Sequence, residues 1–533
     1  MDALVVLIPL MPLIAASLIG IGHLSGAISG EAGESITADI AGWTITMSCL
    51  LALTLWGADL LGKNTGSYSA GQWLSSDTLD IQLNFISTGF NVRLAALFSV
   101  LLAIIIRFSI NYMHREAGYH RFFVILSLFA SAMLLLVLSG NAVVTFIGWE
   151  VAGVCSYFLI AYAYDRPVAA ANATRVFVTN RIGDAAFVLG SGLSYAWVDN
   201  VNWSAINAAS AQLSPGEATA LALCFAVAAF AKSAQLPFTP WLGRAMEGPT
   251  PSSAVFYGAV MVHAGVYLVI LLRPVFEHAP LAMALVAIVG LMTAVYGFVV
   301  GLTQTDVKSS LIFATSGQLG LMFLECGLGF WQLAGWHLCA HAVVRGYQFL
   351  TAPSLMHNMQ GNYRGVSRRK APAHTHTRHL RRVGDVPAWI YVASIQRFWL
   401  DQMTDWALVK PVRGLAHDLS YFDDHIVDRI MGFSAPAIRA ISSLAQLEER
   451  TIGARLDNES DNFAQGSGLA GKLTEWTADI LHWFEDRFVL RGIGKGAIDY
   501  GRRLGHIANK FEQSVLRPRY LVLFVFITLL VAF

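Results

Sequence analysis

The sequence predicts an all-α protein, a polytopic membrane helical bundle of about 12 spans on the ~20-residue length that a bilayer core requires. Three observations predict it. The 533 residues are 55% hydrophobic and only 13% charged, against about 25% charged in an average soluble domain, and mean hydropathy is +0.54. The apolar residues fall in runs long enough to cross a bilayer, and the charges gather after residue 360. A net charge of +1 gives no basic field for a nucleic acid. The expected setting is therefore membrane lipid, in a multi-pass arrangement in the cell inner (plasma) membrane.

The apolar runs place spans at 3–23, 40–61, 92–113, 121–139, 141–163, 174–197, 217–236, 252–273, 280–301, 307–328, 332–356 and 517–533. The first has no basic leader and no small-residue cleavage site, so it reads as a spanning helix and not as a signal peptide. Residues 62–91 are polar and alternate around Asp80-Ile81-Gln82-Leu83-Asn84-Phe85, the pattern of a short hairpin on the membrane face. Glu247 stands before Gly248-Pro249-Thr250-Pro251, and two prolines there predict a broken helix with carbonyls left exposed.

The segments divide the chain into 1–91 (first spans and hairpin), 92–357 (membrane core), 358–516 (basic loop and amphipathic helices) and 517–533 (anchor helix). The loop carries Arg364, Arg368, Arg369, Lys370, Arg378, Arg381 and Arg382 with His374, His376 and His379. Such a tract favours the cytoplasmic side, and a solvated, phosphate-facing loop is preferred over a metal site. Beyond it, Ile395, Phe398, Trp399, Met403 and Trp406 recur at helical spacing, as do Ile426, Ile430, Phe433, Ile438 and Ile441. These helices are too polar to span and should lie along the membrane or a partner. Tyr421-Phe422-Asp423-Asp424-His425 and Trp483-Phe484-Glu485-Asp486-Arg487 form a weak internal repeat. Arg517 and Arg519 should anchor the last span at the interface. The five cysteines sit singly inside apolar runs, so neither zinc nor iron–sulfur ligation is expected in this chain.

Charge inside a span is expensive and by default marks a pathway. Glu150, Lys232 and Lys308 each interrupt an apolar run, and Arg181 and Asp184 share one helix face. His337, His341 and Arg345 are spaced i, i+4, i+8 and also share a face. For a single residue the bland alternatives are a snorkelling lysine or an ion pair that only holds helices together. A row of Glu, Lys and His is what proton transfer needs. Lysine taken out of water binds its proton more weakly, and histidine titrates near neutrality already.

These residues sit in motifs with a family resemblance. Phe146-Ile147-Gly148-Trp149-Glu150-Val151-Ala152-Gly153-Val154-Cys155-Ser156-Tyr157 is similar to the helix-five motif of the complex I L subunit. Lys232-Ser233-Ala234-Gln235-Leu236-Pro237 through Gly248-Pro249-Thr250-Pro251-Ser252-Ser253-Ala254 is similar to its broken helix seven and the start of helix eight. Gln304-Thr305-Asp306-Val307-Lys308 and His337-Leu338-Cys339-Ala340-His341-Ala342 match later motifs. The resemblance spans roughly 90–357, in a family that includes Mrp-type antiporter subunits, membrane-bound hydrogenase subunits and the membrane subunit (DabB) of the DAB inorganic-carbon uptake system. Phe398-Trp399-Leu400-Asp401-Gln402 and Lys410-Pro411-Val412 also resemble the L subunit's approach to its lateral helix.

The resemblance implies that 92–357 is an antiporter-like, proton-translocating core. It implies Glu150 and Lys232 as the paired switch of a first half-channel, Asp184 as their modulator, and Lys308, His337 and His341 as a central relay. Four departures qualify this. A histidine common early in helix eight is Tyr257 here, with His263 six residues later. The relay lysine is replaced by Arg345, which essentially never releases its proton. Helices expected after 357 give way to the basic tract. Glu247 before Pro249 is closer to DAB-type subunits.

Two readings follow. The first is a DabB-type, proton- or cation-translocating subunit for CO2/bicarbonate uptake, energising a soluble zinc carbonic-anhydrase-like (DabA-type) partner. The alternative is a divergent L-type subunit of NADH-quinone oxidoreductase or a related redox complex, beside redox and antiporter subunits. Neither makes this chain itself a redox or hydrolytic catalyst, and no cofactor is expected in it; zinc would belong to the partner.

Overall fold

The computed structural model describes residues 2–75, 80–352 and 388–422. Each expected span that begins before residue 352 overlaps a helical element. They are α1 (Leu4–Leu24), α2 (Glu34–Leu60), α3 (Gly89–Tyr112), α4 (Tyr119–Leu138), α5 (Ala142–Ile160) and α6 (Pro167–Val198). After a short α7 (Trp203–Ala209) come α8 (Pro215–Lys232), a short α9 (Pro240–Arg244), an interrupted element from Thr250 to Leu271 that includes α10 (Thr250–Ser253) and α11 (Ala264–Leu271), a short α12 (Arg273–Glu277), α13 (Pro280–Gly301), α14 (Val307–Gly327) and α15 (Trp331–Thr351). Among the described residues, nine helices are long and apolar enough to cross a membrane. The basic tract 364–382, the internal repeat beyond Phe422 and the 517–533 anchor lie outside the described residues, as do the residues directly after 352.

Local signals set the helix ends. Asn141 caps α5 by accepting from the Val144 amide, Ser214 and Glu217 form a capping box on α8, and Asp306 caps α14; each satisfies an amide that the first turn leaves without a partner. The outward faces stay apolar. Ile288, Leu291, Val295 and Phe298 on α13 are 57%, 50%, 55% and 68% exposed, a surface that suits lipid and not water.

Between α13 and α14 the backbones nearly touch. A Cβ on Gly320 would lie 2.5 Å from the Ala294 nitrogen, and one on Gly290 2.5 Å from the Leu324 nitrogen. Small residues at such a seam gain dispersion contacts that lipid cannot supply.

The expected hairpin is present: β1 (Ser67–Ser75) pairs antiparallel with β2 (Asp80–Ile86), with Tyr68 opposite Phe85. It is tied to the start of α5, where Asn141 Nδ2 donates to the Gln82 carbonyl (2.7 Å) and the Gly140 amide to the Asn84 carbonyl (2.7 Å).

The expected helix break is also present. α8 stops at Lys232, and the chain turns through Ser233–Thr239 into α9 (Pro240–Arg244) and a tight turn over Ala245–Glu247. It resumes as α10 (Thr250–Ser253), widens over Ala254–Ala259, tightens over Met261–His263 and continues as α11 (Ala264–Leu271). This irregular backbone is buried in protein, as a non-helical stretch at membrane depth must be.

Residues 388–409, grouped by sequence with the lateral region, pack on this bundle. Asp405 pairs with Arg175 of α6 (2.8 Å), Asp401 with Arg244 (3.1 Å), and Phe398 meets Tyr296 with ring centroids 6.0 Å apart. The described residues to Pro411 belong to one compact unit; of a second, beginning at Val412, only the end of the helix Lys410–Phe422 is described. Cys155, Cys326 and Cys339 are buried, whereas Cys49 and Cys224 are half-buried.

Candidate functional site

Lys232 is the last residue of α8 and 1% exposed. A cation at that end complements the partial negative charge of the helix terminus. Its Nζ donates to the Trp149 carbonyl (2.9 Å) and lies 4.9 Å from the centroid of the same residue's ring. The Trp149 indole Nε1 in turn donates to Asp184 Oδ1 (2.9 Å). Trp149 thus bridges the lysine of α8 to the carboxylate of α6. The bridge needs α6 close to α8, and Gly183 permits it: a Cβ there would sit 2.5 Å from Ala231 Cβ.

Glu150 does not take Lys232 as its partner. Its Oε2 accepts from Arg181 Nη1 (2.8 Å), and the same nitrogen lies 3.6 Å from Asp184 Oδ2. Glu150 Oε1 is buried with no hydrogen-bond partner among the described residues. In place of the direct Glu150–Lys232 pair that the resemblance implies, the structure has a five-residue arrangement, Glu150–Arg181–Asp184 with Lys232 attached through Trp149. Arg181 stands between the two carboxylates, its Nη1 2.8 Å from Glu150 Oε2 and 3.6 Å from Asp184 Oδ2.

The broken element carries a second group. Glu247 is held by Arg166 Nη2 (3.1 Å) and Asn172 Nδ2 (3.2 Å). Lys308 pairs with no acid among the described residues and instead donates to Thr250 Oγ1 (2.8 Å), which also meets Tyr112 OH (3.1 Å). Neither Glu247 nor Lys308 pairs with the Lys232 cluster.

The histidines form a third group. His263 Nε2 and His341 Nδ1 are 2.9 Å apart, and Arg345 Nε donates to His341 Nε2 (3.3 Å) while its Nη1 donates to Gln348 Oε1 (2.8 Å). His263, His341 and Arg345 are all buried. His337, one turn before His341, is held instead between Glu325 Oε1 and Gln318 Oε1, both 2.9 Å from its ring nitrogens; the His337 and His341 ring centroids are 6.3 Å apart. Tyr257 occupies the position of the absent histidine, and its buried hydroxyl has no partner among the described residues.

Residues 139–383 match the family described as NADH:quinone oxidoreductase/Mrp antiporter, TM, and residues 73–123 match the complex I chain 5 N-terminus. The NAD(P)H-quinone oxidoreductase chain 5 of Synechocystis sp. is 37% identical over 67% of this chain and 53% of its own length. The chain belongs to the NADH:quinone oxidoreductase/Mrp antiporter family. Subunit L of the NADH-quinone oxidoreductase of Rhodobacter capsulatus is 36% identical over 67% of this chain and 53% of its own length. This antiporter-family chain therefore spans about half the length of the curated relatives it matches. The Mrp complex from Dietzia sp. DQ12-45-1b superposes with a TM-score of 0.57 at 28% identity, covering 64% of this chain and 37% of that one. An archaeal membrane-bound sulfane sulfur reductase has a TM-score of 0.55 at 20% identity, covering 65% and 70%; this second likeness is one of fold. The family and fold establish a multi-pass membrane protein.

Sequence reasoning found the charged residues and missed several of their partners. Arg181 was visible as a neighbour of Asp184 but not as the partner of Glu150. Glu325 and Gln318 on α14 gave no signal, because their relation to His337 crosses from one helix to the next. The bridging role of Trp149 rests on a backbone carbonyl, which no residue pattern encodes.

Proposed function

We propose that this chain is a proton-translocating, antiporter-like subunit of a redox-driven membrane complex of the L/chain 5 type. The observation that carries the reading is Lys232: an ammonium fully enclosed by protein, with a carbonyl and an aromatic face as its partners and, among the described residues, no carboxylate within ion-pair distance. A buried charge held for stability alone would take a direct counter-ion, since an unpaired one costs several kcal/mol in order of magnitude. A lysine joined to Asp184 through Trp149, beside an Arg181 that reaches both Glu150 and Asp184, can hold or release its proton as the charge around it changes. The redox names of the quinone oxidoreductase relatives support electron transfer as the energy source. They reverse the order in which the sequence ranks its two readings.

The inorganic-carbon reading keeps one specific support, Arg345 in place of the relay lysine, which suits a path that ends at a partner. Affinity purification of the tagged chain from its native membrane separates the two. Recovery of flavin- or iron–sulfur-containing subunits is expected. Recovery of a soluble zinc protein without redox subunits would overturn the redox reading in favour of the second.

A further inference from the structure

We infer that Arg345 is a gate that locks His341 and His263 into one tautomer and closes both ends of the pair to protons. The lock follows from donor counting. Arginine has five N–H donors and no acceptor, so the Arg345 Nε contact at 3.3 Å makes His341 Nε2 an acceptor. A neutral His341 must then carry its hydrogen on Nδ1. That nitrogen faces His263 Nε2 at 2.9 Å, so His341 donates and His263 accepts. His263 must in turn carry its own hydrogen on Nδ1, the ring nitrogen that is buried without a partner among the described residues.

A proton meets a closed pair from either direction. At the His341 end, the acceptor nitrogen is occupied by a permanent cation. At the His263 end, the outer nitrogen already bears hydrogen and cannot accept. The hydrogen bond between the rings cannot reverse unless His341 gains a proton at Nε2 as it hands its Nδ1 proton to His263 Nε2. That exchange needs Arg345 to leave. Gln348 Oε1 holds the guanidinium in place at 2.8 Å. His337, whose ring centroid is 6.3 Å from that of His341, and its partner Glu325, 2.9 Å from the His337 Nδ1, are the nearest other titratable groups named here. A lysine at 345 would behave differently, because an ammonium can pass its proton to Nε2 and reload. What the gate controls rests on the proton-translocation reading, but the lock is a property of the side chains alone.

The test is the nitrogen-15 magnetic resonance of labelled histidine in the full chain in lipid bilayers at pH 7. His263→Asn and His341→Asn identify the two signals by their loss. The expected result is a neutral ring at both positions, protonated at Nδ1 and bare at Nε2, with His341 relaxing to a mixture of tautomers in Arg345→Met. A doubly protonated or Nε2-protonated ring at either position in the parent chain, or an Arg345→Met signal identical to the parent, overturns the lock. In proteoliposomes, Arg345→Lys should raise proton flux by roughly an order of magnitude or more; flux no higher than the parent overturns the gate. Locked tautomers in a chain whose Lys232 variants transport as well as the parent would uphold the lock and sink the functional reading.

Discussion

Lys232→Met separates a transport role from a structural one. The substitution keeps the length of the side chain and removes the charge. It deletes a charge-assisted hydrogen bond of 2.9 Å to the Trp149 carbonyl and an ammonium–ring contact at 4.9 Å. Together these contribute about 2–5 kcal/mol in order of magnitude. The desolvation that a buried ammonium costs is also several kcal/mol in order of magnitude, and methionine avoids it. No acid is stranded, since Asp184 keeps the Trp149 indole and Glu150 keeps Arg181. The two contributions offset to within about 2 kcal/mol, so the variant should insert and melt close to the parent. Proton transport should fall by at least about tenfold, the loss expected when a positioned proton carrier is removed. Melting is followed with a thiol-reactive dye on the buried cysteines, and transport with a pH-sensitive dye in vesicles under an imposed potential. Transport within twofold or so of the parent would refute the role, and a collapse of the melting temperature would show that the lysine is structural.

Trp149→Phe keeps an aromatic face under Lys232 but removes the indole donor to Asp184; stability should fall by about 1–3 kcal/mol, read by the same melt, with transport slowed. Gly320→Leu forces a side chain into backbone at 2.5 Å, and separation of α13 from α14 should lower stability by about 1–3 kcal/mol or more, while the equivalent change at the unobstructed Gly192 should be tolerated. At the N-terminus, hydrogen bonds from Ser87 and the Thr65 amide hold the Asp2 carboxyl below its usual range. A depressed folded value means that its contribution is full above the ordinary aspartate value and lost as pH falls through the lowered one. Hydrogen exchange near Thr65 and Ser87 should therefore quicken at acid pH in the parent and be pH-insensitive, beyond the intrinsic rate, in Asp2→Asn.

The spans were legible because a bilayer imposes a length and an apolarity that few other structures share, and the break before Thr250 because proline cannot continue a helix. The common face of His337, His341 and Arg345 followed from the 3.6-residue period. What could not be read was which charge meets which. Glu150 meets Arg181 because close packing at Gly183 fixes how α6 sits against α8 and hence how it faces α5. His263 meets His341 across 78 positions of sequence through an irregular backbone whose course no periodicity announces. The stretch 388–409 looked lateral because its helices are amphipathic; its polar face is taken up by Arg175 and Arg244, so it covers the bundle instead.

Electron-driven proton uptake tests the central claim most directly. The complex isolated through this chain is placed in liposomes, supplied with reduced donor and quinone, and the lumen pH is followed. A proton gradient that forms with electron transfer, and falls at least about tenfold per electron when the chain carries Lys232→Met, is the predicted result. Full electron transfer with an undiminished gradient in that variant would contradict it.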